Sequence, residues 1–269
     1  LTLGFSTYGM PGWTTEKALD ALAAIGFDSV EWCLLPAYDS APEKLTPARR
    51  RALRRQLDDL GLGLPACMES LSPSADNKAD AQARDRLKRA AELACELRPT
   101  GPPLIETVLG GGEWEKVRGL YRDRLGGWLD ALGSVRLAIK PHRFGAMSLP
   151  AHARWLIDQV GSERLKMVYD QSHYEYRDQK TDDLIRTAGT HIAFVAVKDV
   201  ALAGGKVRFE LPGSTGTPDH RAVLRALVAS GYRGDVNCEV SGMVFNRRDY
   251  DAQAAATRCH QAMRKLLPL

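Results

Sequence analysis

No apolar run in this 269-residue sequence approaches the roughly 18 residues that a membrane-spanning helix needs, and no signal-peptide pattern opens it. The chain begins directly on a strand-like run, LTLGFSTYG, so the sequence is silent on any leader. Cysteine is sparse and has no pattern. The five residues, at 33, 67, 95, 238 and 259, are odd in number and show no CxxC spacing. That argues against a disulfide framework and for reduced, buried thiols, the state expected of a cytoplasmic protein. Charge of one sign is not in excess either. The 37 Lys and Arg residues against 33 Asp and Glu leave a net +4, and the basic residues are scattered rather than gathered in a stripe. Nothing here points to nucleic acid or to a membrane as a partner. The turn after the first strand, STYGMPGWTT, lacks GxGxxG, which removes the usual signature of a dinucleotide-binding sheet.

What is present is alternation. Strand-like runs fall at 1–7, 29–34, 63–69, 103–108, 135–140, 165–170, 192–199 and 235–240. Helix-like runs follow at 14–25, 46–60, 76–98, 114–132, 149–160, 181–189, 219–230 and 249–267. Thr14, Thr46 before Pro47, and Asp219 are plausible N-caps, and glycines at 26, 61, 133, 161 and 231 stop helices just before the next strand. Eight strand–helix units in a chain of this length match a single-domain (β/α)8 barrel spanning 1–269.

A barrel puts its active site at the carboxyl ends of its strands. Those ends carry Glu31, Glu69, Glu106, Lys140, Asp170, Lys198 with Asp199, and Glu239, whereas the strand beginnings are mostly neutral or apolar. Side-chain alternation sharpens the pattern. Val135, Leu137 and Ile139 form the helix-facing set of the fifth strand, so Lys140 points inward. Met167 and Tyr169 leave Asp170 inward, Val195 and Val197 leave Ala196 and Lys198 inward, and Val236, Cys238 and Val240 leave Asn237 and Glu239 inward. Lys140, Asp170, Lys198 and Glu239 are thus expected to converge on one mouth. A lysine at the tip of a buried strand, in LAIKPHRFG, is unfavourable unless something there needs a cation.

Several stretches together resemble the xylose-isomerase-like barrels, a family that includes sugar epimerases, inosose dehydratases and endonuclease IV. They are FSTYG at the first strand, VEW at the second, YDQSH at the sixth, VKDV at the seventh, and the tail LPGSTGTPDHRAVLRALVASGYRGDVNCEVSG. The likeness covers nearly the whole chain and rests on the order and spacing of these motifs. For epimerase-like members it implies a divalent metal, Mn, Mg or Zn, held by Glu, Asp, His and Glu on the fifth to eighth strands. By position Asp170 and Glu239 match, Lys140 stands where the first Glu is expected, and Ala196 stands where the His is expected. His173, three residues after the Asp, matches a substrate contact of the family.

The resemblance implies a small sugar, keto-sugar or polyol as ligand, and three readings are open. In the first, the protein is an isomerase or epimerase that moves a proton beside a carbonyl without a metal. Two carboxylates in one pocket repel by about 4 kcal/mol at about 4 Å in an effective dielectric near 20, and Lys140 would relieve that repulsion. Glu239 or Glu106 would be the base, Lys140 the electrostatic partner, and His142 or His173 a proton shuttle. Lys140 near Lys198 would also permit a Schiff base, which the nearby carboxylates oppose. In the second, a metal sits at a relocated site among Asp170, Glu239, His173 and His142, as in a lyase or dehydratase. In the third, the protein binds a sugar without turning it over. Lys198, Trp13 in the loop after the first strand, Glu31 and Arg208 are candidate substrate contacts. The segment 200–218 is either a lid carrying Lys206 and Arg208 or a hairpin without a role. The basic run PARRRALRRQLDDL reads as a solvated helix face or, less simply, an anion or oligomer patch. A homo-oligomer is compatible with the sequence.

Overall fold

The computed structural model describes residues 1–267. Eight parallel strands close a barrel: β1 (Thr2–Ser6), β2 (Ser29–Cys33), β3 (Gly63–Met68), β4 (Leu104–Thr107), β5 (Leu137–Ile139), β6 (Leu165–Tyr169), β7 (Ile192–Val197) and β10 (Asp235–Cys238). β1 pairs with both β2 and β10, which completes the ring. Around it lie α1 (Thr15–Ile25), α2 (Pro47–Asp59), α3 (Asn77–Leu97), α4 (Trp114–Ala131), α5 (Pro150–Val160), α6 (Thr181–Ala188), α7 (His220–Ala229) and α9 (Ala252–Arg264). A short α8 (Gly242–Phe245) follows β10, and two strands, β8 (Asp199–Ala203) and β9 (Lys206–Glu210), form an antiparallel hairpin after β7.

The expected helix starts are present. Thr14, Thr46 and Asp219 each accept a backbone N–H of the first turn, from Lys17, Arg49 and Ala222. Gly26 and Gly161 end α1 and α5 in the left-handed region, at φ 100° and 67°, where a side chain would be strained. Alternation along the strands then creates two cores. Leu137, Ile139, Met167, Tyr169, Val195, Val197, Val236 and Cys238 face the helices, while Ala66, Leu104, Ala138, Val168, Phe194 and Ala196 fill the barrel axis. The axis is packed with mostly small side chains, and the charged residues sit above them. At Gly4 of β1 there is no room for a side chain: a Cβ there would lie 2.6 Å from Ser29 Oγ and 3.1 Å from Asn237 Oδ1.

Element boundaries shift by up to a few residues from the sequence reading, and three of the shifts bear on the site. β5 ends at Ile139 and β10 at Cys238, yet Lys140 N–H still bonds Thr107 O at 3.0 Å and Glu239 N–H bonds Val197 O at 3.0 Å. Both residues therefore keep the strand's inward alternation. The run expected as one strand over 192–199 breaks at Lys198, because Asp199 opens the β8–β9 hairpin. The glycines of LAGGKVR are its turn, Gly204 and Gly205 at φ 57° and 72°. In the basic helix α2, Arg49 and Arg50 tie to Glu16, Asp39 and Glu96 on neighbouring segments, whereas Arg51, Arg54 and Arg55 are exposed. All five cysteines are free thiols. Among the described residues, no helix is long and apolar enough to cross a membrane.

Candidate active site

The inward residues at the ends of β5, β6, β7 and β10 meet in one buried lattice of charge. Lys198 Nζ donates to Asp170 Oδ2 and to Glu239 Oε1, each at 2.6 Å. Lys140 Nζ donates to Glu239 Oε2 and lies 3.3 Å from Asp170 Oδ2. Each lysine touches both carboxylates, and each oxygen of Glu239 is taken by a different lysine. Asp170 is also held by its own turn, accepting from Ser172 N–H at 3.1 Å and Ser172 Oγ at 2.5 Å. Two ammonium groups thus balance two carboxylates in a site with almost no exposure: Lys140 is 2% and Lys198 1% accessible.

Burial opposes charge on all of these groups, and the partners overrule it. Burial would push the Lys140 ammonium down, but Glu239, Glu106, Asp170 and Glu31 together hold it well above the usual lysine range. Burial would likewise raise Glu239, yet Lys140 and Lys198 pull it to about 2, and Asp170 is held well below the carboxylate range by Lys198, His173 and Lys140. A lysine held so firmly protonated does not form a Schiff base readily, and a carboxylate held so low is a weak base. The lattice is an electrostatic fixture.

A second acidic pair lies beside it and has no cation of its own. Glu31 and Glu106 are buried, and one oxygen of each, Glu31 Oε1 and Glu106 Oε2, meets no donor while both groups are ionised. Glu31 Oε2 accepts from Asn237 Nδ2 at 3.1 Å. Burial, then Glu106, then Glu239 raise the Glu31 carboxyl well above its ordinary range. Burial raises Glu106 too, opposed by Lys140 and by a hydrogen bond from Glu31. Inside the barrel there are thus four carboxylates against two ammonium groups. Burial favours the protonated form in this pair, more strongly at Glu31 than at Glu106. Glu106 is the more readily ionised member and the one that reaches open space.

That space is a cavity of about 240 Å³ whose polar wall is Tyr8, Glu69, Ser70, Glu106, Lys140, His142 and Glu239, and whose apolar wall is Leu35, Met68 and Val108. Pockets for drug-sized ligands run to roughly 300–1,000 Å³, so this one suits a smaller molecule. Glu69 is not free within it, being bound to Arg86 Nε at 2.8 Å. His142 and His173 pack against each other beside the lattice, with ring centroids 4.2 Å apart and planes tilted by 49°. Each accepts a backbone N–H on Nδ1, from Phe144 and Arg143, both at 3.3 Å, which leaves the proton on Nε2. Burial, then His173 and Lys198, take His142 to about 2, and burial and Lys198 take His173 to about 4. Both are neutral hydrogen-bonding groups near pH 7, not ready proton shuttles.

The β8–β9 hairpin covers this assembly. Its Phe209 is buried, packs edge-on against His173 at 5.0 Å, and lies 5.0 Å from Lys198 Nζ across its ring face. The segment 200–218 is thus both a hairpin and a cover. Asp199 anchors it rather than joining the mouth. Its carboxylate accepts from the N–H groups of Gly213, Thr215 and Gly216 at 2.7–3.0 Å and faces His220 Nε2 at 2.7 Å.

Of the residues singled out in the sequence, Lys140, Asp170, His173, Lys198 and Glu239 are brought together, with Glu106, Glu31 and His142 adjoining them. Trp13 and Arg208 are not. The Trp13 ring is covered by Lys17 Nζ at 3.7 Å and does not line the cavity, and Arg208 is exposed on β9. Phe209 and Tyr8 belong to the site without any sequence signal, because nothing local distinguishes a lid aromatic or a cavity tyrosine from a core one.

The matching of a family model for the xylose isomerase-like TIM barrel over residues 19–263 places the chain. The chain belongs to that family. No curated protein sequence matches it. Among solved structures, the IolI protein with a binding zinc atom superposes with a TM-score of 0.83 at 18% identity, covering 99% of this chain and 98% of that one. A D-psicose 3-epimerase, crystallised in the presence of D-fructose, gives 0.81 at 17% identity with 99% of each chain covered. An L-ribulose 3-epimerase gives 0.74 at 19%, covering 99% and 94%. At these identities the likeness carries the fold.

The four-residue metal set implied by the resemblance does not fit this chain. Ala196 offers no donor, and the oxygens of Asp170 and Glu239 that would face a cation are occupied by Lys140 and Lys198. His173 Nε2 lies 3.4 Å from Asp170 Oδ2, so a metal between them would have to displace both ammonium groups. Among the described residues, no group of three or more His, Cys, Asp or Glu side chains is arranged to hold a metal ion.

Proposed function

We propose that this protein is a sugar isomerase or epimerase that moves a proton beside the carbonyl of a small sugar, keto-sugar or polyol derivative, with Lys140 and Lys198 in the electrostatic role that a divalent metal plays in its relatives. The observation that carries the reading is a small cavity lined by Lys140, Glu239 and Glu106, in which Lys140 and Glu239 belong to a lattice completed by Lys198 and Asp170. Removing a proton from the carbon next to a carbonyl leaves an enediolate, and fixed positive charge at the oxygen lowers that barrier. Lys140 faces the cavity and supplies that charge. Glu106 is the proton-transfer group. Burial raises its carboxyl and makes it the stronger base, whereas Glu239 is too acidic to compete. Glu106 takes the proton from carbon and returns it to the neighbouring carbon for isomerisation, the hydroxyl proton passing from one enediolate oxygen to the other, or to the same carbon from the other face, after the intermediate turns, for epimerisation. Glu31 keeps its own proton and donates to Glu106 throughout.

The test is exchange of the substrate's α-proton with D2O, followed by NMR across a panel of ketoses and aldoses with a strong chelator present. Exchange with at least one sugar, lost in Glu106→Gln, is the expected result. The second reading is a sugar-binding protein without turnover, and one observation favours it: the lysines and carboxylates of the lattice already satisfy one another. Saturable sugar binding without exchange would replace the enzymatic reading with that one.

A further inference from the structure

The distribution of arginine partners isolates one place in the fold. Among the described residues, every other partly buried arginine meets a carboxylate within 4.0 Å, from Arg49 with Glu16 and Asp39 through Arg86 with Glu69 to Arg264 with Asp28. Arg143 and Arg177 do not. Both are half-buried, and they sit side by side on the connections that follow β5 and β6, at the carboxyl-terminal rim of the barrel.

Their hydrogen bonds go to neutral groups only. Arg143 Nη2 donates to Glu175 O, and its Nε is buried without any partner. Arg177 Nη2 donates to Arg143 O at 3.3 Å, and its Nη1 lies 3.3 Å from Ser148 O and 3.4 Å from Ser148 Oγ, just before α5. The acid between them in sequence, Glu175, turns its carboxylate to Gln171 Nε2 at 2.8 Å instead. The first turn of α5 adds the positive end of a helix dipole, and its N-cap residue, Leu149, has no side chain to satisfy it. Burial and the neighbouring Arg177 weaken the hold of Arg143 on its proton and outweigh the more weakly acting carboxylate of Glu175, as expected for like charges brought together out of water. Backbone carbonyls stitch the two loops together, but they do not neutralise two guanidinium groups.

We propose that Arg143 and Arg177 form a subsite for an oxyanion, a phosphate or carboxylate group carried by the substrate. The subsite adjoins the candidate active site through the chain itself. His142, which lines the cavity, precedes Arg143, and the Arg143 N–H bonds the ring of His173. Lys140, the ammonium that lines the cavity, is paired with Glu239 and Asp170 and is assigned to the charge that develops at the reacting oxygen, so it does not serve a second, permanent anion. A charged substituent on the ligand is therefore received at the rim, while the uncharged, reacting part enters the cavity. This inference rests on the proposed sugar chemistry for its substrate, but the anion subsite itself does not.

The experiment has two arms. In the first, inorganic phosphate is titrated into wild type, Arg143→Gln, Arg177→Gln and Arg177→Lys, with binding read by calorimetry and by the rise in Tm. Wild type is expected to bind phosphate, each Gln variant to bind about ten- to a hundredfold more weakly, and Arg177→Lys to retain part of the affinity. The Lys variant preserves charge and guards against misreading a folding defect. Equal phosphate affinity in wild type and in a folded Gln variant, or none in wild type, overturns the subsite. In the second arm, sugars are compared with their phosphorylated and carboxylated counterparts. Tighter binding of the acidic forms, abolished by Arg143→Gln while affinity for the neutral sugar is unchanged, supports a substrate-borne anion. Phosphate binding with no preference for acidic sugars overturns that assignment and points to free phosphate as the ligand. Because both arms read binding, a protein that binds acidic sugars without turning them over contradicts the proposed activity and leaves the subsite standing.

Discussion

The four carboxylates inside the barrel form two pairs that meet the same difficulty, negative charge out of water, in opposite ways. Asp170 and Glu239 remain ionised because Lys140 and Lys198 are locked against them. Glu31 and Glu106, in the same barrel interior, have no ammonium of their own, and burial raises both carboxyls toward the protonated form. The first solution fixes charge and cannot easily move a proton. The second favours holding a proton and can. On the proposed reading, the cavity divides electrostatic stabilisation from proton transfer between neighbouring pairs.

The largest effect is expected from breaking the balanced pair. Lys198→Met leaves one buried carboxylate without a counter-charge, and removal of one partner from a buried ion pair is strongly destabilising, by about 3–5 kcal/mol. Denaturant unfolding of wild type and Lys198→Met would measure it, and a difference below about 1 kcal/mol would show that the lattice is far weaker than its geometry implies. Breaking the second pair should do the reverse. Glu106→Gln removes a buried carboxyl that has no ammonium of its own, so the fold should hold or gain stability while proton exchange at the substrate carbon falls by about 10²-fold or more. Unfolding and exchange measured on one preparation would separate these outcomes.

A pH titration of stability contrasts the pairs without a mutation. Glu239 titrates at about 2 in the fold, and Asp170 is also lowered, against roughly 4 for unfolded carboxyls. Their contribution is therefore present above pH roughly 4 and is lost as pH falls toward 2. Glu31 and Glu106 are raised, so their contribution is present at low pH and declines as pH climbs from roughly 4 through their folded values. Stability should fall on both sides of a maximum in the mildly acidic range, with Glu31→Gln or Glu106→Gln flattening only the upper limb. The smallest effect is expected at the lid. Phe209→Leu keeps most of the apolar cover and loses only the ring face on Lys198 and the ring contact with His173. It should weaken sugar binding severalfold at most and cost about 1 kcal/mol of stability, which calorimetry and melting would check.

The interior set is legible in the sequence itself. Strand alternation places Lys140, Asp170, Lys198 and Glu239 inside because a period of two is a local property, and it survives even where β5 and β10 stop one residue short. Contacts that require closure of the ring are not legible in this way. Glu31 lies on β2 and Glu106 on β4, with β3 between them, so their meeting is a property of the closed interior and of no sequence spacing. Lys198 reads as a substrate contact in the sequence because alternation says which way a side chain points and not what it touches. Asp199 stands among the strand-end charges, yet it anchors the turn before α7, and its partners lie 14 to 21 residues away. Trp13 and Arg208 are plausible as loop residues at the right end of the barrel. The packing of Lys17 on the first and the outward face of β9 for the second keep both from the cavity.

The central claim is that two lysines stand where the relatives' metal chemistry would require a cation. The most direct measurement is the metal content of untagged protein by elemental mass spectrometry, with wild type and Lys140→Glu/Lys198→Met prepared side by side in medium supplemented with manganese and zinc. Wild type is predicted to carry far less than one equivalent, while the double variant, with three carboxylates converging and no ammonium between them, takes up metal. Near-stoichiometric metal in wild type would contradict the claim, because Asp170 and Glu239 cannot hold both lysines and a divalent ion at the same oxygens.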